Sequence, residues 1–99
     1  VLSPITREWV ATDLAIADGV VAGWGKRDAK ETVDVGGAAL VAGFVDAHMH
    51  LESTKLWVDE FVRGALPCGT TAVACDPHEI ANVAGLEGVG AVAEAAVAQ

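Results

Sequence analysis

The stretch Gly43-Phe44-Val45-Asp46-Ala47-His48-Met49-His50 constrains the fold more than any other part of the chain. In an extended strand, successive side chains alternate between two faces. Asp46, His48 and His50 then share one face, and Val45, Ala47 and Met49 take the other. The apolar face must be packed under something, which suits a strand covered by helices. The polar face puts two imidazoles on one side of a strand end. Neutral imidazole is a good ligand for zinc, iron and related ions, so His48 and His50 are candidate metal ligands. A His-x-His pair taken alone is commonly incidental. This one gains weight from its place after a buried-type strand and before Glu52-Ser53-Thr54, in a chain whose only other histidine is His78.

The residues that follow alternate between helical and extended patterns. Ser53 or Thr54 is placed to cap a helix running to about Leu66. Its apolar positions, Trp57, Val58, Phe61, Val62, Ala65 and Leu66, have helical spacing, and Asp59 and Arg63 stand at i,i+4. Pro67-Cys68-Gly69 ends that helix. Thr70-Thr71-Ala72-Val73-Ala74-Cys75 is β-branched and apolar and reads as a second buried strand, closed by Asp76-Pro77. A short helical turn over 79–84 and a longer helix over 86–98 complete the pattern. The order βαβα predicts parallel strands joined by helical crossovers, hence an α/β sheet or barrel.

In α/β barrels the functional groups collect at the C-terminal ends of the strands. The first strand end carries His48, His50, Glu52 and Ser53, and the second carries Asp76, His78 and Glu79. Neighbouring strands would bring both clusters into one site. Taken singly, Asp76-Pro77 also reads as a turn and Glu79 as a first-turn helix charge.

Residues 1–42 have a different texture. Leu14–Ala17 and Val20–Trp24 flank Asp18-Gly19, a strong hairpin signal. Thr32–Val35 and Ala39–Ala42 are further strand-like runs, so an antiparallel β layer with charged turns is expected. No chemistry is evident in it. The net charge is −8 and the six basic residues are scattered, which argues against nucleic acid and anionic membranes as partners. Two cysteines, Cys68 and Cys75, make no disulfide framework and predict reduced thiols in a cytoplasmic protein. No apolar run reaches the roughly 18 residues of a membrane span. The chain has no initiator Met and stops inside an Ala-rich helical pattern, so a piece of a longer protein is expected.

The segment Gly43–His50 resembles the first barrel strand of the amidohydrolase superfamily, metal-dependent hydrolases with a (β/α)8 barrel beside a small β-sandwich. Three further blocks narrow the resemblance to the adenine deaminase family within it: His48-x-His50-Leu51-Glu52-Ser53, Leu66-Pro67-x-Gly69-Thr70-Thr71, and Asp76-Pro77-His78-Glu79-Ile80-Ala81-Asn82-Val83. The resemblance implies that residues 1–42 belong to the β-sandwich and 43–99 supply the first two β/α units of the barrel. It implies hydrolysis of adenine to hypoxanthine and ammonia, in purine salvage, by water activated at a divalent metal centre. The centre would be binuclear, with Mn2+ favoured over Fe2+ or Zn2+, in a homodimer that acts on a small molecule. Carried over by position, His48 and His50 match metal ligands and Asp46 a group supporting them. Glu52, Ser53, Asp76, His78 and Glu79 match catalytic or substrate-binding positions, with no individual roles assigned. Other readings of these residues are a relative acting on cyclic amides, a different deaminase, or a non-catalytic protein of the same fold. The family's later metal ligands and catalytic aspartate have no counterpart here. A barrel takes about 250 residues, so these residues alone are expected to be inactive.

Overall fold

The computed structural model describes all residues from Val1 to Gln99. The chain divides into two compact units, Val1–Ala42 and Gly43–Gln99.

In the first unit, β1 (Leu14–Ala17) pairs antiparallel with β2 (Val20–Trp24), with a bulge at Ala15/Ile16. Asp18 and Gly19 both have positive φ (51° and 76°), as a turn matched to the right-handed twist of a hairpin requires. The expected wider β layer is not present. Thr32–Val35 and Ala39–Ala42 form no strands. A strand needs a neighbour for its amides, and these runs have almost none. Asp34 Oδ1 instead accepts the Gly36 N–H at 2.8 Å, which turns the chain, and Leu40 contributes a single carbonyl to the Leu2 N–H.

The second unit has the order β3 (Phe44–Met49), α1 (Val58–Ala65), β4 (Thr70–Cys75), α2 (His78–Val97). The two strands are parallel, as the alternation predicts, with register running from Phe44 opposite Thr70 to Met49 opposite Cys75. Gly43 is needed at the entry to β3: a Cβ there would run into the Thr71 side chain of β4. Leu51, Val58 and Val92 form the buried core, joined by Met49, Phe61, Val62, Ile80 and Ala95. Beside this core lies an apolar cleft of about 370 Å³ that includes Met49, Phe61, Val73 and Val92; no histidine or carboxylate lines it.

Two local expectations are corrected. The first helix does not begin at Ser53 or Thr54. Glu52–Thr54 is a single 3-10 turn, and α1 starts only at Val58, with Trp57 at its cap. Thr54 Oγ1 donates to the Leu51 carbonyl and accepts from the Leu56 N–H, and Lys55 takes the left-handed conformation (φ 61°), which breaks any helix there. Arg63 pairs with Glu60 at i,i+3 and 3.0 Å, one residue nearer in the chain than the expected Asp59. By length and mean composition α2 is apolar enough to cross a membrane, but Glu79, Glu87 and Glu94 leave it with no continuous apolar run of that length. It is also not one straight rod. Gly85 (φ 61°, ψ −156°) interrupts it, dividing it as the expected segments 79–84 and 86–98 are divided. The 12 residues Leu86–Val97 beyond the break extend about 18 Å, well short of the roughly 30 Å of a bilayer core.

Candidate metal centre

The candidate site forms where the β3–β4 ladder ends. The last backbone rung is the Asp76 N–H to the Met49 carbonyl, 2.8 Å. Beyond it the two chains diverge into separate loops, and side chains take over the bridging. His50 Nδ1 lies 2.9 Å from the Asp76 carbonyl. Glu52 Oε1 accepts the Ile80 N–H at 3.0 Å, and Ser53 Oγ donates to Glu79 Oε1 at 2.7 Å. Four ties thus join 49–53 to 76–80, and the two polar clusters read from the sequence lie side by side.

The three imidazoles stack edge to face around His50. The His48–His50 ring centroids are 4.8 Å apart and the His50–His78 centroids 4.6 Å. A carbonyl can only accept, so Nδ1 of His50 is the donor, and in the neutral ring this leaves Nε2 with a free lone pair. This is the arrangement in which a ligating histidine is oriented through its other ring nitrogen. Asp46 stands on the histidine face, where its Oδ1 accepts the His48 N–H at 3.1 Å; it steadies the strand backbone under the ring and makes no hydrogen bond to the ring itself. Asp76 does two things: its carbonyl holds His50, and its Oδ2 lies 3.3 Å from His78 Nδ1.

One ligating atom from each of His48, His50 and Asp76 lies within 4.8 Å of the others. A divalent ion with bonds of about 2.1 Å spaces its ligands by at most about 4.2 Å, so small side-chain rotations would close the set. Two neutral imidazoles and one carboxylate form a donor set that suits Zn2+, Fe2+ or Mn2+. The residues present therefore fit a metal ion. His48 is exposed and His50 and Asp76 are half-buried, leaving the face open to a ligand.

Glu52 has a role that reading along the chain missed. Pro77 occupies the N-cap of α2 and has no side-chain acceptor for the first-turn N–H groups. Glu52 supplies that acceptor from 28 residues away, at Ile80. The Ile80 N–H, Glu52's own N–H and the nearby His50 and His78 lower the carboxyl below its ordinary range, against an opposing effect of burial. Its second oxygen, Oε2, is buried with no partner. A proline at the cap position is the signal that could have pointed to an acceptor arriving from elsewhere.

Comparison with known proteins agrees with this geometry. The chain is 41% identical over 96 residues to an adenine deaminase of Bacillus velezensis, covering 97% of the chain and 17% of that relative. It is 49% identical over 80 residues to an adenine deaminase of Petrotoga mobilis, covering 81% and 14%. An adenine deaminase of Bacillus subtilis is 42% identical over 89 residues, covering 90% and 15%. The chain therefore spans about a sixth of the length of these relatives. No solved structure matches it significantly. Residues 39–99, more than half of the chain, match the profile of the amidohydrolase family, and it is to this family that the chain belongs.

Proposed function

We propose that this chain is the amino-terminal part of a metal-dependent enzyme that hydrolyses adenine to hypoxanthine and ammonia. The observation that carries the reading is the convergence of His48, His50 and Asp76 at paired strand ends, with His50 oriented by the Asp76 carbonyl. The relatives named adenine deaminase supply the substrate. The βαβα order of the second unit supports its reading as the first two units of a (β/α)8 barrel, with Val1–Ala42 part of a neighbouring β-sandwich domain.

In this reading His48 and His50 hold the ion, Mn2+ in preference to Fe2+ or Zn2+, and Asp76 is a further ligand. When bound, such an ion lowers the pKa of water and so supplies a nucleophile near neutral pH. Asp46 steadies the backbone beneath His48, and the Asp76 carbonyl holds the His50 ring. His78, held by Asp76 and exposed on the open side, is the group best placed to contact a purine or carry a proton to the departing amine. Ser53 and Glu79 tie the rim. The exposed, unpaired Cys68 and Cys75 support a reducing, cytoplasmic setting.

The test is ammonia release from adenine by the full-length protein loaded with Mn2+, beside a His48→Ala/His50→Ala variant. Activity in the parent and its loss, with loss of bound metal, in the variant is the expected result. A parent that binds Mn2+ but leaves adenine intact refutes the substrate assignment.

A further inference from the structure

The geometry points to Glu52 as a positioning residue for the metal centre. It acts through reach and hydrogen-bond acceptance, and neither ligates the ion nor touches the substrate. This rests on the metal-dependent reading above and assigns a role within that site.

Three observations carry it. First, Glu52 lies two residues beyond His50, and Ile80 lies two residues beyond His78 and four beyond Asp76. A bond between Glu52 and the Ile80 N–H therefore brackets all three groups between itself and the last backbone rung at Met49. Second, the amide Glu52 satisfies has no other acceptor, because Pro77 at the cap of α2 offers none. Without Glu52 the first turn of α2 loses its anchor, and His78 and Asp76 stand at the start of that turn. Third, the Ser53 hydroxyl in the parallel tie to Glu79 is exposed and that bond is open to water, although Glu79 is itself half-buried, whereas the bond from the Ile80 N–H to Glu52 is partly buried and the Glu52 Oε2 is shielded from water. A shielded bond is the stiffer of the two, since water competes less for its partners.

Two single substitutions separate reach from charge. Glu52→Gln keeps the length and the acceptor oxygen but removes the charge. Its amide nitrogen also gives the buried second position a donor. Glu52→Asp keeps the charge but is one methylene shorter and cannot span to Ile80 with the backbone in place. The probe is Mn2+ itself: its dissociation constant in the full-length protein, by competition with a chelator, together with the visible spectrum of the Co2+-substituted form. A positioning role predicts that Glu52→Gln binds Mn2+ within about threefold of the parent. Glu52→Asp should weaken binding by about 10- to 100-fold and alter the Co2+ spectrum, the range seen when groups behind metal ligands are removed. Thermal melts of both variants confirm that each is folded when its metal is measured.

The opposite order, with Asp retaining metal and Gln losing it, makes the charge the active property and overturns the proposal. Loss in both makes Glu52 a ligand, and no change in either removes any role for it at the centre. Because metal affinity is read without adenine, these outcomes stand apart from the substrate assignment. A parent that holds no Mn2+ overturns the metal-dependent reading and this proposal with it.

Discussion

Replacing Gly43 with alanine tests how tightly the two parallel strands that carry the site are pressed together. The φ of Gly43 is not in the left-handed region, so the cost of a side chain there is steric. An added Cβ would stand 2.8 Å from Thr71 Cβ and closer still to Oγ1 and Cγ2. Rotating Thr71 about χ1 moves the outer two atoms but leaves its Cβ in place. The backbone must then retreat by about 0.6 Å, from 2.8 Å to the 3.4 Å at which ordinary contact begins. Inserting one methyl-sized group into a packed contact of this kind costs about 1–3 kcal/mol. The retreat begins at Phe44–Thr70, the first pair of the register. Thr71→Gly removes the obstructing atoms, so in a double-mutant cycle Gly43→Ala and Thr71→Gly should couple by at least about 1 kcal/mol in the compensating direction. The assay is thermal unfolding of the full-length protein and its three variants, at one scan rate and with metal saturating. If Gly43→Ala melts with the parent, or Thr71→Gly brings no relief, the close approach of β3 and β4 is not what demands glycine.

Two further outcomes follow from the packing. Leu51 is one of three buried core side chains, at 6% exposure, and Leu51→Ala should cost about 2–3 kcal/mol, the lower part of the range for such truncations because the adjoining cleft lets the site collapse; chemical denaturation would measure it. Gly85 lies in a region of φ/ψ that is essentially closed to other residues, with open space around the missing Cβ, so Gly85→Ala should cost about 1–3 kcal/mol through conformation alone, and a melt equal to that of the parent would count against the break in α2.

The parts of the fold that could be read from the sequence are those decided by neighbouring residues. Asp18-Gly19 needs positive φ at both positions and has residues that accept it. The alternation in Phe44–Met49 and the β-branched run in Thr70–Cys75 mark two strands, and parallel pairing follows from the helix between them; the burial expected of both is not present, since nearly every residue of the two strands is exposed in this structure. The failures share the opposite property. Thr32–Val35 has strand-like composition, but a strand exists only with a partner, and composition cannot say whether one is present. The start of α1 was misplaced because the Thr54 hydroxyl bonds back to Leu51 rather than forward into a helix, and both are local options open to threonine. That His48, His50, Asp76, His78 and Glu79 lie close together could be read from the sequence, because neighbouring parallel strands bring their C-terminal ends side by side. The link from Glu52 to Ile80 could not, because it joins residues 28 apart and depends on what proline fails to provide at the helix cap.

The change from backbone rungs to side-chain rungs has its own consequence for the site. A peptide ladder fixes the spacing of two strands but uses up their polar groups in each other. Once the chains diverge after Met49 and Cys75, spacing can be held only by side chains, and some of those must also remain free to bind. The tie between His50 and Asp76 meets both needs, because it uses Nδ1 and a backbone carbonyl and leaves Nε2 and the Asp76 carboxylate available. The two partners are therefore not equivalent. Any residue at position 76 retains the carbonyl that orients His50, and loses only the carboxylate and its hold on His78. A change at position 50 removes the ring that is at once rung, proposed ligand and the centre of the three-imidazole stack. His50 is thus the residue on which the geometry of both loops depends, and Asp76 the one at which donor chemistry can be altered while the neighbouring imidazole stays in place.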